Sequence, residues 1–169
     1  MSLKWLEARH FRNLTHISLD LDPGLNLLFG ENGSGKSTLL DALTFALFNK
    51  PFRTVSKPQL INTINGKNCL VEISFSIGTK NYTIKRGLQP RVFDITINGD
   101  LLDKNANIRD FQKYLEENIL KLNYKSFTQI VMLGSASFTP FMQLHLGARR
   151  EIIEDILDIS IFTSMNSVL

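Results

Sequence analysis

The sequence predicts an α/β fold organised around a phosphate-binding loop, and three observations carry that prediction. Residues 30–38 read Gly30-Glu31-Asn32-Gly33-Ser34-Gly35-Lys36-Ser37-Thr38, a match to GxxxxGK[ST]. The match lies between a short apolar run and a helix-spaced run, and the segments downstream alternate apolar and polar residues. At average residue usage a chance match in a chain this long has a probability below about 1%.

The elements follow in order. Apolar residues alternate from Leu3 to Arg9 and from Ile17 to Leu21, which reads as two strands, and Asp22-Pro23-Gly24 turns the chain. Leu25, Leu27, Leu28 and Phe29 form the apolar run expected of a buried strand leading into the loop. Beyond it, Leu39, Leu40, Leu43, Ala46 and Leu47 recur at helical spacing, and Lys50-Pro51 ends that helix because proline lacks an N–H and disfavours helix before it. The stretch Phe52–Lys67 reads as loop, with turn signals at Lys57-Pro58 and Asn65-Gly66. Val71–Ile77, Tyr82–Arg86 and Phe93–Ile97 alternate and predict an antiparallel meander. Ile108, Phe111, Leu115, Ile119 and Leu122 predict a second helix, and Phe127–Leu133 reads as another buried strand. A last helix carries Ile153, Leu157, Ile161, Met165 and Val168, with no C-cap, which suggests a longer helix cut short.

The chemistry of the loop is that of triphosphate binding. Crowded anionic oxygens need several backbone N–H donors at close range, and Gly33 and Gly35 leave that approach bare. The helix start adds its unpaired amides and positive dipole end, and Lys36 adds a full charge. Ser37 is placed to ligate magnesium, which takes few protein ligands. A plain glycine-rich turn would have no need for Lys36 followed by Ser37 and Thr38.

Composition bounds the rest. At 169 residues and 43% hydrophobic content the chain can bury a core and reads as one globular domain. Nineteen basic against sixteen acidic side chains give a net charge of +3, a mild bias compatible with an anionic partner. Cys69 is the only cysteine, which excludes an internal disulfide and a multi-cysteine zinc site and favours a cytoplasmic setting. No apolar stretch approaches the ~20 residues of a membrane span, and the N-terminus carries no signal-peptide pattern. His10, His16 and His145 lack metal-ligand spacing.

A P-loop this close to the N-terminus, preceded by Phe11-Arg12-Asn13 and followed by an antiparallel meander, resembles the ATP-binding-cassette (ABC) heads of SMC-like DNA repair ATPases of the SbcC type. Ala46–Arg53, Gln59–Asn62, Tyr82–Gly87 and Thr139–Met142 resemble the large recombination-endonuclease subunits of T-even-like phages within that group. The resemblance covers nearly the whole chain and rests on the order and spacing of these strings. It implies a P-loop NTPase, an ABC-ATPase-like head lobe with a mixed or antiparallel sheet: residues 1–158 as the N-terminal lobe and 159–169 as the start of a coiled-coil helix. The Leu-Ser-Gly-Gly signature and the Walker B run, four apolar residues ending in Asp-Glu, are absent from the sequence. The family's second lobe supplies them, so this chain alone should hydrolyse ATP poorly.

Carried over position by position, the resemblance implies that Asn32, Gly33, Ser34, Gly35, Lys36, Ser37 and Thr38 cradle ATP, with Lys36 the catalytic candidate and Ser37 the magnesium ligand. Arg12 and Asn13 match a segment that approaches the nucleotide, although Arg12 reads equally as a basic residue on an exposed loop. Arg53 and Lys57 face either phosphates or DNA. The family's Q-loop glutamine falls at Ser135 in ungapped comparison, so Ser135, Gln129 or a water stands as the second metal ligand. Lys80, Lys85, Arg86 and Arg91 form a local basic cluster for DNA phosphates, with a solvated sheet face as the bland reading.

The implied function is an ATP-switched head that dimerises with a second copy of itself and governs an SbcD-type nuclease subunit on DNA, in the cytoplasm, or the host cytoplasm for a phage protein, without a membrane. The alternatives are a RecF-like or SMC-like head lacking a nuclease partner, an ABC-transporter nucleotide-binding subunit, and an interaction fragment with a degenerate P-loop. Phe11-Arg12-Asn13 disfavours the transporter, and the intact Gly33, Gly35, Lys36 and Ser37 disfavour the last.

Overall fold

The computed structural model describes residues 1–102, 108–132 and 141–157. Two compact units divide the chain, residues 1–106 and 107–169. The first is a six-stranded sheet of order β2-β1-β3-β4-β5-β6 carrying one helix. Its strands are β1 (Ser2–Phe11), β2 (Leu14–Asp20), β3 (Cys69–Ile77), β4 (Lys80–Leu88), β5 (Val92–Ile97) and β6 (Asp100–Leu101), and every neighbouring pair is antiparallel. The expected meander is therefore present. The helix α1 spans Lys36–Phe48, where the apolar spacing placed it.

Register explains which face of the sheet is dry. Leu6 lies opposite Ile73 and Ala8 opposite Val71; Ile73 in turn lies opposite Ile84, and Ile84 opposite Ile95. Directly opposed residues share a face, and these are all buried. α1 packs on that face: Ala42, Phe45 and Ala46 are fully buried, and the Phe45 ring meets Phe11 at 5.7 Å between centroids. Burying a phenylalanine contributes roughly 2–3 kcal/mol. The opposite face is wet and carries a charged row, with Glu7 opposite Glu72, Glu72 opposite Lys85 and Lys85 opposite Asp94.

Asn49 closes α1 in the left-handed region, φ 57°, with its N–H bonded to Phe45 O at 2.9 Å, and Pro51 follows. The loop beyond is tied down rather than loose. Ser56 N–H donates to Gln59 Oε1 at 2.8 Å over a 3₁₀ turn, Lys57–Leu60, and Asn62 N–H donates to His10 O at 2.9 Å. Asn62 is buried, and its Oδ1 accepts from Ile64 N–H at 2.9 Å.

Two expectations need correction. Leu25–Phe29 forms no strand: the run belongs to no sheet, and Leu25, Leu27 and Phe29 are 95, 76 and 85% exposed. An apolar run becomes a buried strand only when other strands flank it, and among the described residues none does. Phe127–Ile130, read as strand, is helix. In the second unit, α2 (Ile108–Tyr114) continues as a π-helical turn, Leu115–Leu120, and α3 spans Tyr124–Ile130. Asn123 caps α3 by accepting from Ser126 N–H at 2.9 Å, and this local cap outweighs the β-like composition of the segment. After a 3₁₀ turn at Phe141–Gln143, α4 (Leu146–Ile156) packs against α3 with Ala148 and Ile152 buried, and Lys125 pairs with Glu151. Residues 159–169, expected to begin a coiled coil, lie outside the described residues, as do Leu133 and Ser135.

Candidate functional site

Two glycines open the site at the start of α1. Gly33 and Gly35 have φ of 88° and 101°, a region that side chains rarely adopt, and a Cβ on Gly35 would sit 2.6 Å from Leu14 Cδ2. Gly35 is the N-cap and offers no side-chain acceptor to the first helical turn, and no acidic residue stands there. Thr38 N–H turns back to Gly35 O at 2.9 Å, whereas the earlier amides of an α-helix have no intrahelical partner and point outward. The positive end of the helix is thus presented bare.

A cavity of about 460 Å³ lies over this helix start. Asn32, Gly33, Gly35, Lys36, Ser37 and Thr38 line one side. Arg12 and Asn13 come from the turn between β1 and β2, and Arg53, Gln59, Ile61 and Thr63 come from the loop after α1. Lys36 Nζ donates to Gly30 O and Glu31 O, both at 2.6 Å, and reaches Ser34 Oγ at 3.5 Å. These bonds hold the ammonium within the loop. The Thr38 hydroxyl donates to Asn13 Oδ1 at 2.8 Å, and Asn13 Nδ2 donates to Gly33 O at 2.9 Å, so Asn13 ties the loop to the helix.

Arg12 and Arg53 meet at one carboxylate. Asp41 is fully buried on α1, with Arg12 Nη1 at 2.7 Å and Arg53 Nη2 at 2.5 Å from its Oδ2. Arg12 itself has φ 53°, and its N–H donates to Leu60 O at 2.8 Å, so strand end, loop and helix converge there. Sequence reasoning named Arg12 and Arg53 but missed Asp41, Gln59, Ile61 and Thr63. The signal for Asp41 was an acidic residue inside the apolar stretch Leu39–Leu43; Gln59 and Ile61 fell in a family-like string without being read as site residues, and nothing local marked Thr63.

The cavity is lined by every P-loop candidate except Ser34, whose Oγ lies 3.5 Å from Lys36 Nζ. The proposed DNA cluster is split. Arg86 is 4% exposed, its Nε donates to Ala46 O at 2.8 Å, and its guanidinium lies 3.7 Å from the Phe93 ring centroid. It anchors α1 to the sheet and, being buried, is not a surface cation for DNA phosphates. Lys85, one residue away, therefore points to the other face, 3.7 Å from Glu72. Lys80 and Arg91 are exposed. The Lys57 ammonium is held below the usual lysine range, first by partial desolvation and then by the positive charges of Arg91, Arg86 and Lys50. Of the two second-ligand candidates, Gln129 lies in α3 of the second unit and Ser135 lies outside the described residues.

Cys69 is buried, and burial pushes its thiol up to about 12, which removes it as a nucleophile. Among the described residues no helix is long and apolar enough to cross a membrane.

Comparison with known proteins gives a consistent set of relatives. A family model described as an AAA domain matches residues 6–162. The chain is 49% identical over 142 residues to exonuclease subunit 2 of Enterobacteria phage T4, a match that covers 84% of this chain and 25% of that protein. It is 26% identical over 166 residues to the DNA double-strand break repair Rad50 ATPase of Thermoplasma volcanium, covering 94% of this chain and 18% of that one. It is 36% identical over 120 residues to the DNA replication and repair protein RecF of Colwellia psychrerythraea, covering 71% and 30%. The chain spans 25% of the length of the T4 relative.

Proposed function

We propose, from a chain that belongs to the AAA-domain family and to its SMC-like DNA repair ATPases, that it is the ATP-binding N-terminal lobe of a recombination and double-strand-break repair ATPase. The observation that carries this reading is the convergence of Lys36, Ser37, Arg12 and Arg53 with a bare helix start on one cavity. Backbone amides and the helix dipole hold phosphate oxygens, Lys36 neutralises charge between the outer phosphates, and the two guanidinium groups add cationic N–H donors at the rim. Asn13 fixes the loop through Gly33 and Thr38.

The donors at this cavity suit magnesium: the Ser37 hydroxyl is a hard oxygen beside the place the phosphates take. When bound, the ion neutralises phosphate charge and orients the triphosphate. Hydrolysis also needs a carboxylate to activate water, and no Asp-Glu pair follows four apolar residues in this sequence. The rest of the protein, three-quarters of the length by analogy with the T4 relative, supplies that group in this reading.

The exposed apolar run Leu25–Phe29 supports a lobe of this kind. A loop that leads into a phosphate site while showing leucine and phenylalanine to solvent calls for cover, and strands from the remainder of the protein would complete a sheet there. Two heads closing on ATP make nucleotide a switch, since ATP favours the closed pair and hydrolysis releases it. A nuclease subunit is the proposed partner, consistent with the name "exonuclease subunit 2" of the T4 relative. DNA phosphates are the proposed ligand of the exposed basic residues Lys57, Lys80 and Arg91, and the host cytoplasm is the proposed setting. The RecF similarity keeps a second reading open, a head without a nuclease, and copurification of a nuclease with the intact protein separates the two.

Steady-state ATP turnover tests the composite site. The purified 169-residue chain should turn over ATP at background rate, and the intact protein well above it. Turnover by the chain alone that Lys36→Ala abolishes contradicts the division of labour.

A further inference from the structure

We propose that Asp41 is a positioning residue of the nucleotide site, holding Arg12 and Arg53 so that their guanidinium groups face the phosphates; this rests on the reading of the cavity as a triphosphate site. Asp41 stands on α1, fully buried. Its Oδ2 accepts from Arg12 Nη1 at 2.7 Å, Arg53 Nε at 2.9 Å and Arg53 Nη2 at 2.5 Å, and its Oδ1 accepts from Arg53 N–H at 2.9 Å. Three donors converge on Oδ2 and one reaches Oδ1, and the carboxylate is fully buried behind the two arginines. Asp41 is therefore committed to holding Arg12 and Arg53 and is closed to solvent.

The two guanidinium groups are not spent in the same way. Arg12 gives Asp41 one of its five N–H donors, and Arg53 gives two and reaches Thr38 Oγ1 at 3.4 Å. Both side chains line the cavity and are partly open to it, 25 and 35% exposed. One buried carboxylate between two guanidinium groups leaves a net charge of +1 at the rim. It also stops the two cations from repelling each other apart and draws the Arg53 loop, through its backbone N–H, onto the helix that carries Ser37 and Thr38.

The proposal makes a prediction opposite in sign to plain charge arithmetic. Replacing Asp41 with Asn removes a negative charge near bound phosphates, so charge alone would tighten ATP. Loss of position should weaken it. Equilibrium ATP titrations of the intact protein, with circular dichroism of the same samples, read the difference. Asp41→Asn should weaken ATP about tenfold while the protein stays folded, the size expected from losing aligned charge-assisted hydrogen bonds. Arg12→Ala should cost ATP affinity in the wild type and far less in the Asp41→Asn background, because the misplaced guanidinium has already been lost. A merely structural loss would leave the two effects additive.

If Asp41→Asn does not fold, Arg12→Lys answers in its place, since it leaves Asp41 paired with Arg53 and keeps the charge at Arg12. About tenfold weaker ATP supports positioning, and unchanged affinity overturns it. Asp41→Asn binding as tightly as wild type, or tighter, also overturns it. A wild type whose ATP binding is absent or indifferent to Lys36→Ala instead defeats the underlying reading of the cavity.

Discussion

Arg86 and Lys85 show what a string of basic residues conceals. As neighbours on a strand they read as one cationic cluster, yet alternation sends Lys85 to the wet face beside Glu72 and Arg86 into the core beneath α1. The period was visible in the sequence; which face α1 would cover was not, because that depends on long-range packing. The consequence is measurable. Arg86→Glu puts a carboxylate against the Ala46 carbonyl and should destabilise the protein by about 3 kcal/mol or more in urea unfolding. Lys57→Glu with Arg91→Glu, both on exposed residues, should leave unfolding nearly unchanged and weaken DNA binding by the intact protein in a salt-dependent way. DNA affinity unaffected at low salt would remove that surface from the account. Asp41 was legible only in part: an acid within an apolar helix is a signal, but its partners come from residues 12 and 53 and no spacing rule links the three.

Among the elements, those built from contiguous patterns were readable. β3, β4 and β5 alternate cleanly, and α1 starts at the P-loop lysine and stops before Pro51. The run Leu25–Phe29 was not readable, since the composition of a strand says what the segment can do and its neighbours decide whether it does. Its exposure gives a direct contrast with α1. Phe45→Ala in this chain should cost about 3–5 kcal/mol, because it empties a fully buried site against Phe11. Phe29→Ala should change stability by less than about 0.5 kcal/mol, as an exposed residue does. Equal losses at the two positions in chemical denaturation would restore the buried strand. The α3 segment failed for another reason, since Asn123 and Ser126 form a cap that the apolar residues around them masked.

For the whole molecule, the P-loop motif pointed to the cavity at the start of α1, and the family resemblance agrees with the DNA repair relatives that the chain matches. Neither disclosed how residues 12, 13, 41 and 53 knit the phosphate loop to the sheet and to the loop after α1, a network closed only by the fold. The central claim is that this cavity binds a nucleoside triphosphate through Lys36 and the bare helix start. Isothermal titration of the 169-residue chain with Mg·ATP tests it most directly. The account predicts one site per chain, with affinity lowered at least tenfold by Lys36→Ala in a variant that remains folded. Binding of equal strength in Lys36→Ala, or no binding by the folded wild type at millimolar ATP, would contradict it.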